Sequence, residues 1–128
     1  MTYINFVKNA WDAVYDPKKE TAEIIEKFFH PDYEQCINGI SMNRSKYIQH
    51  VLEQKQNMTI ETIDYKHILE KGNELFAIYY PKGKNKNNFP IEAEVIAYFR
   101  FEDQQIFRIH GQVRLIKGNL TDVDMENS

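Results

Sequence analysis

Along this chain the apolar positions change their rhythm, recurring every three or four residues at the start and every second residue towards the end. Tyr3, Phe6, Val7, Ala10, Trp11, Val14 and Tyr15 form one face of a helix over 3–15. Asp16-Pro17 ends it and starts a second helix, because Asp caps free amides and Pro suits the first helical position. That helix runs to about Phe29, buries Thr21, Ile24, Ile25, Phe28 and Phe29, and stops at His30-Pro31. A short strand at 32–37 meets the turn signal Asn38-Gly39, where both residues tolerate positive φ. A third helix follows over about 44–55, capped by Asn43, with Tyr47, Ile48, Val51 and Leu52 as its apolar face.

Four long strands are predicted next, at about 58–70, 74–81, 89–101 and 106–117. In the first, Ile60 is out of phase with Ile63, Tyr65 and Leu69, which signals a bulge. In the last two, apolar and polar residues alternate across a hairpin at 102–105, placing Phe107, Ile109 and Gly111 inward and Glu92 or Glu94 near Gln112 or Arg114. The order is α+β, a curved antiparallel sheet wrapped around three N-terminal helices. One domain is expected over 1–117, with a frayed polar tail at 118–128.

Composition narrows the function classes. The 128 residues carry a formal net charge of −3 and only one basic cluster, at 82–88, so no pull towards nucleic acid or anionic membrane is expected. Cys36 is the single cysteine, which excludes an internal disulfide and a cysteine-cluster zinc site. Cys36 itself is read as a buried, inert thiol. The four histidines are dispersed, and no phosphate loop or nucleophile elbow is present, so neither metal nor cofactor is expected. No apolar run approaches the ~18 residues of a membrane span, and no secretory signal is visible, which makes the cytoplasm the expected location.

Two segments, FFHPDYEQCINGISMNRSKYIQHV and VIAYFRFEDQQIFRIHGQVRLIKG, carry a resemblance. The first is similar to a pattern of His-Pro-Asp-Tyr, a Gln two residues on, an Asp-Gly turn and a His in the following helix. With the element order, it resembles the nuclear-transport-factor-2-like superfamily in its SnoaL-like branch, related to polyketide cyclases and ketosteroid isomerases. The resemblance covers about 3–117. It implies a cone-shaped sheet enclosing a pocket, and a homodimer through the outer sheet face. In the enzymes of this group it implies a carboxylate that moves a proton next to a carbonyl, with a hydroxyl or a protonated acid steadying the enolate.

Set against that pattern, this chain has Asn38 where the turn usually carries Asp, and Gly111 where an acid often stands. An amide cannot accept the proton, and a glycine has nothing to donate. The pocket expected here is lined by Trp11, Tyr15, Tyr33, Gln35, His50, Tyr65 and Ile109, with Tyr79 and Tyr98 as further hydroxyls. Which way Asp64, Glu92 and Glu94 point is open. His30 closes a helix end, and Arg108, His110, Gln112 and Arg114 form a polar outer face. The expected function is binding of an apolar small molecule without assured catalysis. One alternative is an isomerase or cyclase using His50 or His67 as base. Another is a protein-interaction module using the outer sheet face.

Overall fold

In a computed structural model, which describes residues 3–123, α1 (Tyr3–Val14) buries the stripe Val7, Ala10, Trp11 and Val14. Each large aliphatic side chain so buried stabilises the fold by roughly 1.5–3 kcal/mol. Tyr3 stacks on Phe101 with ring centroids 4.0 Å apart, which fixes the start of α1 on the sheet. The second helix, α2 (Thr21–Phe28), begins later than the Asp16-Pro17 signal suggests. Its cap is Glu20, whose carboxylate accepts from Ala22 N at 3.2 Å and Glu23 N at 2.6 Å. Asp16 instead holds a turn by accepting from Lys18 N at 2.9 Å. Two candidate caps four residues apart competed, and the one aimed at the free amides won.

The chain leaves α2 directly into β1 (Phe29–Ile37), because Phe29 is already extended at φ −115 and ψ 134. Asn38 and Gly39 have φ of 53 and 81, the left-handed pair that a two-residue hairpin needs. They lead into β2 (Ile40–Asn43), a strand the sequence reading passed over because it is short and runs straight into a helix cap. Asn43 then caps α3 (Arg44–Asn57), accepting from Lys46 N at 2.9 Å. The long strands are β3 (Met58–Lys71), β4 (Glu74–Asn85), β5 (Pro90–Glu102) and β6 (Gln105–Lys117).

All six strands join one curved, unclosed sheet in the order β2-β1-β6-β5-β4-β3. Every pair is antiparallel except β1 and β6, which run parallel. Three helices pack against its inner face, so the α+β expectation describes the architecture. The β5–β6 register sets Glu94 opposite Arg114, and their side chains meet at 3.3 Å.

Bulges decide which residues face inward. β3 has two, between Ile60 and Thr62 and between Tyr65 and His67. The second reverses the phase, so Ile63 and Tyr65 are half-buried while His67 and Leu69 are exposed. A third lies between Arg100 and Phe101 and pairs Phe101 with Ile106. Ile106 and Ile109 are therefore the buried residues of β6. Phe107, expected inward, lies outside against His30, with ring centroids 5.0 Å apart. Past β6 the chain is more ordered than a frayed tail. Leu120–Val123 form one 3-10 turn, and Val123 is buried beside Met58 and Ile91. Residues 124–128 of the expected tail lie outside the described residues.

Candidate functional site

Between the helices and the inner sheet face lies a cavity of about 130 Å³. From β4, β5 and β6 come Tyr79, Val95, Ala97, Ile109 and Val113; from α1 and the turn that follows it Trp11 and Tyr15; from α3 Tyr47, His50 and Gln54. Gln35 of β1 and the Val123 turn complete the polar and outer parts of the wall. Periodicity puts these residues together. Tyr15 follows the last residue of α1, four positions after Trp11, and Tyr47, His50 and Gln54 sit at helical spacing on α3. No described lining residue is Asp, Glu, Lys or Arg.

The polar groups form short chains. Tyr15 donates its hydroxyl to Gln54 Oε1 at 3.3 Å, and Gln54 Nε2 donates to the Val123 carbonyl at 2.9 Å. Tyr47 leans on Tyr15 as a looser donor and lowers its pKa slightly, but burial dominates and pushes the Tyr15 hydroxyl up to about 12. Tyr33 donates to Gln35 Oε1 at 2.7 Å. Burial likewise holds Tyr33, Tyr47 and Tyr79 well above the ordinary tyrosine value. All four are thus neutral hydroxyls around neutral pH. The Trp11 indole N–H is buried without a good hydrogen bond, although it stands near enough to the Tyr79 oxygen to act on it as a donor.

Trp11, Tyr15, Gln35, His50 and Ile109 stand together on the wall. Tyr33 does not reach it; fully buried, it lies behind Gln35 and orients that amide. Tyr65 also stays off the wall, its ring tilted against Tyr79 at 5.5 Å under the Lys8 ammonium, which lies 5.2 Å from its ring centroid. His67 is exposed on the other side of the sheet, carried there by the second bulge of β3. His30 reaches Asp103 at 3.2 Å, far from the cavity. Tyr98 donates to Glu74 on the outer face at 2.5 Å. Asp64 pairs with Lys66, and Glu94 accepts from Tyr80 outside the cone, so neither carboxylate enters the cavity. Glu92 is likewise absent from the wall.

Two wall residues, Tyr47 and Gln54, stand outside the set expected from sequence, and Tyr79, expected as a further hydroxyl, is on the wall. A signal exists for each. Leu75, Ala77 and Tyr79 alternate along β4 as one buried face. Gln54 lies two helical turns from Tyr47 on the buried side of α3, where a glutamine needs a polar partner.

Among the described residues no group of three or more His, Cys, Asp or Glu is placed to hold a metal ion, and no helix is long and apolar enough to cross a membrane. By sequence, the chain matches no protein-family profile and no curated protein. By structure, it superposes on solved proteins at low identity. A SnoaL-like polyketide cyclase from Agrobacterium tumefaciens gives a TM-score of 0.72 at 13% identity, covering 89% of this chain and 92% of that one. An NTF2-like protein of unknown function from Burkholderia pseudomallei gives 0.68 at 11% identity, covering 87% and 90%. A protein with a ketosteroid isomerase-like fold from Catenulispora acidiphila, in complex with trimethylamine, gives 0.65 at 13% identity, covering 82% of each chain. The open sheet around three helices is therefore the fold that SnoaL-like, NTF2-like and ketosteroid isomerase-like proteins share.

Proposed function

We propose that the protein binds a small, largely apolar molecule in this cavity. The observation that carries the reading is the wall itself, in which a few polar groups are set among Ile, Val, Ala and Met side chains. Pockets of that make-up take ligands by burying apolar surface and use the polar groups for orientation. The test is thermal: a panel of neutral ring compounds should raise the melting temperature as ligand accumulates. A panel that moves it nowhere sinks the reading.

A second reading rests on His50, the one described wall residue whose neutral form is a ready proton acceptor. Here His50 takes a proton from carbon next to a ligand carbonyl, and a tyrosine hydroxyl steadies the enolate. Deuterium exchange into a bound ketone, followed by NMR, should stop in His50→Ala while the ketone still binds. Exchange that persists in the variant removes the histidine from the mechanism.

For the outer sheet face we propose a second copy of this chain as the partner. Leu69 and Phe76 are paired there, Ile78 and Ile96 lie alongside, and Leu69 is 71% exposed. Glu94 and Arg114 flank the patch with both signs of charge, as a self-complementary interface needs. Sedimentation should give twice the 15.3 kDa of one chain, and Phe76→Glu should restore the single mass. A wild-type chain that sediments as one copy at micromolar concentration ends this proposal and leaves the face to another protein.

A further inference from the structure

Resting on the binding reading above, we infer that the cavity selects an uncharged ligand of about one six-membered ring, and that Tyr79 donates a hydrogen bond to its acceptor atom. Most hydroxyls around the cavity are already engaged. Tyr33 spends its proton on Gln35 and Tyr15 spends its proton on Gln54. Tyr47 is turned towards Tyr15. Tyr79 is on the wall and only 6% exposed, and its hydroxyl donates to no described residue. The Tyr65 hydroxyl is buried without a partner as well, but Tyr65 is not on the wall. A wall hydroxyl without a protein acceptor gains one when a ligand binds.

Charge and size narrow the class further. The described wall has no carboxylate to balance a cationic ligand, and its tyrosines stay protonated because burial opposes their ionisation. A lone cation would lose its hydration there without a counter-charge, and an anion would have only a protonated His50 to meet it. The volume of about 130 Å³ is near that of an apolar cavity known to take benzene. Tyr79 thus acts as a specificity residue supplied by the sheet, separate from His50 on α3.

The test compares cyclohexanone, its isostere methylenecyclohexane and the cyclohexylammonium ion by calorimetric titration of the whole chain. Wild type should bind the ketone roughly three- to tenfold tighter than the alkene, the worth of one hydrogen bond, and should not bind the ammonium ion. In Tyr79→Phe the ketone should fall to the level of the alkene, the alkene should be unchanged, and the melting temperature should not drop. A ketone advantage that survives in Tyr79→Phe, or an equal loss for both probes, overturns the role of Tyr79 while the binding reading stands. Preferred binding of the ammonium ion overturns the choice of an uncharged ligand. If none of the three binds to wild type, the binding reading itself falls, and this inference falls with it.

Discussion

The side-chain amide of Asn38 exchanges two hydrogen bonds with the backbone of Val113. Its Nδ2 donates to the Val113 carbonyl at 3.0 Å, and its Oδ1 accepts from the Val113 N–H at 2.9 Å. The turn residue thereby extends the parallel pairing of β1 and β6 by imitating a strand. A carboxylate can accept but cannot donate, so Asn is required here on structural grounds. Asn38→Asp should destabilise the fold by about 1–3 kcal/mol at neutral pH. The deficit should shrink in acid, because the protonated carboxyl can donate again. The sign follows from linkage: the carboxyl's folded-state pKa lies above its unfolded value, so the stabilising form is present at low pH and lost as pH rises through the folded value. Denaturant midpoints at a series of pH values check this, and a deficit that does not depend on pH would mean that the donor is unimportant.

Gly111 is no vacancy for a catalytic acid. A Cβ on it would overlap the Ile96 carbonyl oxygen and stand 2.9 Å from Ala97 Cα, so β5 and β6 approach here only because the side chain is missing. Gly111→Ala should cost about 1–3 kcal/mol or more through overpacking, and Gly111→Asp at least as much, with no gain in activity. Urea titration of the two variants gives the answer; unchanged stability would show that the strands can part.

Gln54 ties α3 to two other places at once, the Tyr15 hydroxyl on α1 and the Val123 carbonyl in the final turn. Gln54→Leu keeps the volume and removes both bonds. The expected loss is about 1–3 kcal/mol, for buried polar groups left without partners. Hydrogen exchange should rise in Leu120–Val123 and not in β4. Exchange that rises evenly across the chain would argue against a local tie.

Alkali should unfold the protein by ionising its buried tyrosines. Tyr15 ionises at about 12 when folded against 10.0 when exposed, and burial raises Tyr33, Tyr47 and Tyr79 well above that reference. The unfolded chain therefore loses these protons first. Their contribution is complete below pH 10 and drains away above it, by about 1.4 kcal/mol per pH unit for each group. Tyrosinate absorbance should rise together with loss of helical circular dichroism, and Tyr79→Phe should flatten the slope by one group. Absorbance that rises well before unfolding would mean that water reaches the cluster.

The sequence was legible where one physical rule governed a segment. The stripe from Tyr3 to Tyr15, the Asn38-Gly39 turn and the Asn43 cap read correctly because helical period, positive φ and capping are local properties. The parallel pairing of β1 with β6 did not read, since nothing local distinguishes it from the antiparallel pairs. Of the residues that face and resemblance suggest for a pocket, Trp11, Tyr15, Gln35, His50 and Ile109 line the cavity. His67 and Phe107 depart from simple alternation because His67 follows a bulge and Phe107 is the extra residue of one. Tyr33 was placed on the correct face but one layer too near the lumen.

Those bulges have a consequence for how this cavity can change. Along β3 the spacing of residues, as much as their identity, sets which side chains look inward, much as a reading frame sets codons. Lys66 is the extra residue of the second bulge, lying between the paired positions Tyr65 and His67. Removing it would close the bulge and leave every face as it is, because His67 would then follow inward Tyr65 directly and still point outward, with Ile68 and Glu70 inward. A codon lost from the regular stretch beyond it would instead reverse every side chain that follows. The inner surface of this sheet therefore tolerates a change of length at the bulge and is rewritten by one elsewhere.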